Sequence, residues 1–124
     1  MNIFISFLFA LLLPAGGYTS LSVDEFEKAI ADTSVVRLDV RSVEEWADGH
    51  IAGATVLDVQ KDDFLDKALK TLPKDRTIAV YCRSGRRSKT AAGILSDAGY
   101  KVIDLDNGFA GWAAAGKPVV TNQD

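Results

Sequence analysis

The sequence predicts an α/β domain with a mostly parallel central sheet flanked by helices on both faces. Three observations predict it. Short β-branched apolar stretches alternate with helical patterns from Ser22 onward, the links between them are short, and one strand-like run (Thr77 to Tyr81, TIAVY) is apolar throughout. A continuous apolar strand is the mark of a sheet covered on both sides, and strand–helix alternation is the mark of a parallel one.

Each element has its own signal. Ser22-Val23-Asp24-Glu25 is a capping box that opens a helix burying Phe26, Ala29 and Ile30. Val35 to Val40 is a strand. Ser42-Val43-Glu44-Glu45 is a second capping box, opening a short helix that carries Trp46 and stops at Gly49. Thr55 to Val59 reads as a strand. Asp62 to Leu72 reads as a helix with Phe64, Leu65, Ala68, Leu69 and Leu72 on one face, ended by Pro73. After the TIAVY strand, Ser88 to Ala98 is helical, with Ala91, Ala92, Leu95 and Ala98 at helix spacing and Gly99 as the stop. Lys101 to Leu105 is the last strand, and Phe109 to Ala115 a short terminal helix before Gly116 and Pro118.

A length of 124 residues, with 48% apolar and 25% charged residues, fits one globular domain. The N-terminus differs in kind. Ile3 to Leu13 is apolar except for Ser6 and is followed by Pro14, Ala15, Gly16 and Gly17. This is the layout of a secretory signal over residues 1–17, leaving a single domain over 18–124 and an exported or periplasmic protein. Eleven apolar residues fall short of the roughly 20 that span a bilayer. The other readings of the segment are an uncleaved anchor or a buried N-terminal stretch of a cytoplasmic protein.

The net charge of −3 gives no reason to expect nucleic acid as a partner. Yet Arg83, Arg86, Arg87 and Lys89 follow directly on Cys82, the single cysteine. A local cationic patch on a mildly acidic chain points to a small anion. One cysteine and one histidine, His50, leave no internal disulfide and no cysteine-based metal cluster. The absence of a marked apolar surface stretch points to a monomer.

Cys82 falls where a buried strand ends and a helix is about to begin, the edge of an open α/β sheet where ligands bind. Gly85 permits a tight turn, and such a loop aims several backbone N–H groups at one point, reinforced by the helix dipole. A thiol at that focus is expected below its free pKa of about 8.5, and the thiolate is the nucleophile. The neighbouring arginines can hold an oxyanion with fork-like hydrogen bonds. A buried structural cysteine is the bland alternative, but an apolar site would not be followed by three arginines, a serine and a glycine. Two chemistries use a cysteine in such a cradle: phosphate-ester hydrolysis (with arsenate reduction beside it) and sulfur transfer. Cysteine phosphatases share a Cys-x5-Arg loop; here the sixth position after Cys82 is Ser88, and Arg87 comes one residue early. A shorter ring fits a sulfane sulfur better than a phosphoryl group.

Four segments in order resemble the rhodanese family: LDVRS (38–42), EEWADGHIAGA (44–54), IAVYCRSGRRS (78–88) and NGFAGW (107–112) followed by Gly116, Lys117 and Pro118. The resemblance runs from Leu21 to Val120. It implies a thiosulfate sulfurtransferase in which Cys82 carries a transient persulfide, with no metal or organic cofactor. Arg83, Ser84, Gly85, Arg86, Arg87 and Ser88 would bind the anionic donor and stabilise the persulfide. Cyanide, a thiol or an acceptor protein would take the sulfur from it. A persulfide carrier that hands sulfur to a partner without steady turnover is the non-catalytic reading. Asp39 and Arg41, at a strand's carboxyl end, are expected to support the loop or to pair with each other. His50 is expected to fix the loop after its helix by a hydrogen bond, and Trp46 and Trp112 to pack.

Overall fold

The computed structural model describes residues 17–121; residues 1–16 of the expected export signal lie outside them. Ten elements follow one another: β1 (Tyr18–Leu21), α1 (Val23–Ile30), β2 (Val36–Asp39), α2 (Val43–Asp48), β3 (Thr55–Val56), α3 (Phe64–Thr71), β4 (Ile78–Tyr81), α4 (Arg86–Asp97), β5 (Val102–Leu105) and α5 (Gly108–Ala114). The five strands are all parallel, in the order β1-β5-β4-β2-β3. No helix among the described residues is long and apolar enough to cross a membrane.

Period-2 alternation divides the core between the two faces of the sheet. Ile78 and Val80 on β4, with Leu38 and Val102, pack against Phe64 and Ala68 of α3 and Ala91, Ala92 and Leu95 of α4. Ala79 and Tyr81, with Ile103 and Leu105, pack against Phe26 and Ile30 of α1 and Trp112 of α5. Every residue of β4 and β5 is buried, which is why β4 reads as an unbroken apolar run; β5 buries one charged residue, Asp104. Both capping boxes form, at Ser22 with Glu25 and at Ser42 with Glu45.

The boundaries depart from the sequence reading in four places. β1 has no counterpart in it, because a half-exposed edge strand of four residues lacks the alternation that marks a buried one; it is held through its register with β5. β3 is only Thr55–Val56, although Leu57 and Val59 still donate to the carbonyls of Asp39 and Val40 beside it. On α3, Phe64, Ala68 and Leu72 face the core at four-residue spacing, while Leu65 and Leu69 are 38% and 47% exposed rather than on the buried face. α4 starts at Arg86, two residues before Ser88, because Gly85 takes φ +98° and caps the helix at once.

The order of strands puts a switch point between β2 and β4: from β2 the chain goes outward to β3, then returns past β2 to β4. Crevices at such points lie beyond the carboxyl ends of the strands. The loop Cys82–Gly85 leaves β4 there and is gripped by α5, which has no side-chain cap. Instead, the N–H groups of Phe109 and Ala110 donate to the carbonyls of Cys82 (2.7 Å) and Arg83 (2.9 Å). The loop thus satisfies the orphan donors of one helix while opening another. Gly108 makes the approach possible: with φ +66°, a Cβ there would overlap the Arg83 carbonyl oxygen and lie 2.8 Å from the Ser84 nitrogen.

Gly108→Ala is therefore expected to cost well over about 2 kcal/mol, since left-handed backbone and backbone overlap add. Gly116→Ala shares the positive φ (+76°) with nothing within 4 Å, and should cost about 1 kcal/mol. Denaturant midpoints of the two variants check this; equal losses would show that the overlap at the loop does not matter.

Candidate functional site

Cys82 is fully buried and stands at the carboxyl end of β4, with its side chain in the α3–α4 half of the core. The chain then turns back on the thiol. The Gly85 N–H donates to Cys82 Sγ at 3.1 Å. A side chain at Gly85 would overlap the Asp106 carbonyl oxygen, so the turn is closed by backbone packed on backbone. Only glycine reaches φ +98° without strain at such a contact. No side chain caps α4, so its first turn, Arg86 to Ser88, presents N–H groups on the same side of the loop as the thiol's partner Gly85.

The basic residues of the loop do not form a uniform ring. Arg87 Nη1 and Nη2 donate to Glu45 Oε1 (2.8 Å) and Oε2 (3.0 Å), a two-pronged pair. Arg83 Nε lies 3.7 Å from Glu45 Oε2. Arg86 is exposed and has no ion pair or hydrogen bond to another described residue. Arg86 and Arg87 line a recess of about 450 Å³ with Ser84, Thr90, Val59 and Gln60. Arg83 lines a separate one of about 270 Å³ with Arg41, Glu45 and Phe109. The arginines that the sequence places together thus serve two sides of the loop, and two of them, Arg83 and Arg87, already share Glu45 as a counter-charge.

Glu45 is the residue that sequence reasoning missed. Its Oε1 accepts from the Ser42 N–H and hydroxyl, and from Arg87. The capping box accounts for it so fully that nothing in the sequence signals a second partner 42 positions away. Arg87 holds the Glu45 carboxyl down at about 2; partial burial works in the opposite direction and the Ser42 N–H adds to the lowering. Arg87 is raised in turn, first by its hydrogen bonds to Glu45, with burial working the other way.

Ser88 is the sixth position after the cysteine and lies in the first turn of α4. Its buried hydroxyl donates to Asp104 Oδ1 at 2.5 Å, so its side chain ties α4 to β5. Asp39 and Arg41 do pair: Arg41 Nε and Nη2 meet the Asp39 carboxylate at 2.9 and 2.7 Å, with both residues at 2% exposure or less. Burial alone would lower the Arg41 pKa; the Asp39 bonds outweigh it and raise it. Arg41 Nη2 also donates to the Gly49 carbonyl (2.6 Å), and its guanidinium lies 4.4 Å from the Phe109 ring centre. It therefore fastens the end of β2 to the turn after α2 and to α5, the helix that grips the cysteine loop. His50 Nδ1 lies 2.7 Å from the Trp46 carbonyl, and its ring stacks on Trp46 at 4.1 Å. Trp46 and Trp112 each donate their indole N–H to a backbone carbonyl, of Ala54 and Pro118.

This arrangement can hold a thiolate, or an anion formed on it, with a backbone donor and a helix start on one side and guanidinium groups around the rim. Comparisons with known proteins agree with it. The family model for the rhodanese-like domain matches residues 22–115. A sulfurtransferase of Allochromatium vinosum is 35% identical over 99 residues, covering 78% of this chain and 90% of that protein. A rhodanese-related protein of Thermoplasma volcanium superposes with a TM-score of 0.73 at 31% identity, covering 83% of this chain and 98% of that one. The Alr3790 protein of Anabaena sp. gives 0.73 at 29% identity over 82% of this chain and 81% of its own. The chain belongs to the rhodanese family, as a rhodanese domain of the sulfurtransferase kind.

Proposed function

We propose that the protein is a thiosulfate sulfurtransferase working through a persulfide on Cys82. The observation that carries the reading is the Gly85 N–H aimed at Cys82 Sγ from the uncapped start of α4. The Cys82 thiolate attacks the outer sulfur of thiosulfate. The S–S bond of the donor breaks, its electron pair leaves on sulfite, and the thiolate becomes a persulfide anion. Cyanide or a thiolate then attacks the terminal sulfur and departs as thiocyanate or as a new persulfide, returning the Cys82 thiolate. Charge balances in both steps, no electron is supplied from outside, and no metal or organic cofactor takes part. Donors fixed in advance on the atom where charge resides lower the barrier without reorganising.

Arg86 is the guanidinium best suited to draw in the sulfonate end of the donor, because among the described residues none pairs with its charge. Arg87 contributes less to attraction and more to holding α4 against α2 through Glu45. A phosphate ester fits the ring less well. The position where a phosphatase loop places its arginine is Ser88, whose side chain is committed to Asp104.

Three outcomes are expected. Wild-type protein exposed to thiosulfate gains one sulfur by intact mass and forms thiocyanate from cyanide, whereas Cys82→Ser does neither. A protein that gains no sulfur on Cys82 would sink the proposal, and loading without turnover would recast it as a carrier. Arg86→Ala raises KM for thiosulfate about fivefold at low salt, as one unit charge pair at about 4 Å in water is worth about 1 kcal/mol. An unchanged KM removes Arg86 from donor binding. The third outcome concerns acid. With Glu45 held at about 2 in the folded chain and near 4.3 unfolded, its contribution is complete above the unfolded value. It is lost as pH falls toward the folded one. The stability gap between wild type and Glu45→Gln should be constant from pH 7 to about 5 and narrow below about 4.5; a gap already closing at pH 6 would contradict the Arg87–Glu45 pair.

A further inference from the structure

Behind the cysteine loop lies a polar cluster that the proposed chemistry does not use. Asp104, in the middle of the buried strand β5, is fully buried. Its carboxylate accepts from the Ser20 hydroxyl (2.7 Å), the Ser88 hydroxyl (2.5 Å) and Lys89 Nζ (3.1 Å). Lys89 Nζ also meets Asp106 Oδ1 at 2.9 Å and the Gly85 carbonyl at 3.2 Å, with the Asp106 carbonyl further off at 3.5 Å. An ammonium has three protons, and here its four acceptors come from three places: a strand, the turn after it, and the apex of the cysteine loop. A lysine needed only to neutralise Asp104 has no reason to reach Gly85.

We propose that Lys89 is a positioning residue for the sulfur-bearing loop: tethered by Asp104 and Asp106, its ammonium holds the Gly85 carbonyl and thereby keeps the Gly85 N–H on Cys82 Sγ. Gly85 is the residue that most needs such a hold. Its φ of +98° lies within a wide range open to glycine, so its own conformation does not hold it there, and its N–H is a donor to the reacting sulfur. The Asp106 carbonyl oxygen blocks Gly85 from moving toward β5, and Lys89 draws its carbonyl to the same place. The Asp106 carbonyl and the Lys89 ammonium together fix the backbone at the apex from the β5 side.

The kinetic part of the test rests on the sulfurtransferase reading, so a second readout is taken that does not. Lys89→Met removes the ammonium and keeps the stem; Lys89→Arg restores a cation. The double variant Lys89→Met/Asp104→Asn removes the buried charge together with its partner, so it folds even where the single variant does not. Thiosulfate–cyanide kinetics, the alkylation rate of Cys82 by iodoacetamide at fixed pH, and thermal stability are measured on each. In Lys89→Met, kcat and the alkylation rate fall about tenfold, part of the effect of losing one oxyanion donor outright, while KM for thiosulfate stays unchanged. Lys89→Arg recovers most of both rates. In the double variant stability returns and both rates stay low. If the rates return along with stability, Lys89 only neutralises Asp104 and the proposal is overturned. If the wild-type protein transfers no sulfur, the sulfurtransferase reading fails by itself, and the alkylation rates still decide the role of Lys89.

Discussion

Two hydrogen bonds between backbones, from Phe109 and Ala110 of α5 to the carbonyls of Cys82 and Arg83, hold the part of the chain on which the rest of the site depends. A loop between a buried strand and a helix has carbonyls that its own elements leave unsatisfied, and a short helix without a cap has free N–H groups. Here each supplies what the other lacks. The same contact demands a glycine at position 108, where a side chain would strike the Arg83 carbonyl, and a second at position 85, where it would strike Asp106. The NGFAGW segment is thus explained by the cysteine loop although it contains no reactive group. Its work is to leave room and to donate.

Charge around the loop is arranged in pairs that differ in burial and so in purpose. Asp39 with Arg41 lies deep, and Asp104 is fully buried beneath a Lys89 that is 38% exposed, so that breaking either pair leaves a buried carboxylate without its counter-charge. These pairs fix where β2, β5 and α4 sit relative to one another. Glu45 with Arg87 is half-buried and joins α2 to the first turn of α4. Arg86 and most of Arg83 are left to water. The positive charge on offer to an incoming anion is therefore smaller than the run of three arginines implies, and it is concentrated at the rim. That gradient suits a ligand that must arrive, react at one end and leave again.

Much of this was legible in the sequence, and what was not has a common cause. Capping boxes at Ser22 and Ser42 are local signals, and both helices start where those signals place them. The all-apolar Ile78–Tyr81 strand announces a covered parallel sheet, and Gly85 announces the turn after the cysteine. Partners distant along the chain were hidden. Glu45 serves its own helix so well that its bond to Arg87 leaves no trace in the sequence. Ser88, read as the closing residue of the ring, faces Asp104 because the helix begins two residues earlier and rotates it inward. β1 escaped notice since an edge strand of four half-exposed residues is defined by its neighbour β5, not by its own pattern.

The complete burial of Cys82 bears on how sulfur would leave the site. With no exposed surface, Sγ offers a folded acceptor protein nothing to touch. A sulfur added to Sγ extends the side chain by about 2 Å, the length of one S–S bond. On the proposed chemistry, then, the group that must meet a bulky acceptor is not the cysteine but the atom it carries, and loading itself brings the reactive atom closer to the acceptor. The negative charge moves with it, from Sγ to the terminal sulfur, and the donors that can follow are the N–H groups at the start of α4, which no side chain has claimed. On the proposed chemistry, sulfur reaches a larger acceptor because loading lengthens the side chain, not because the loop opens.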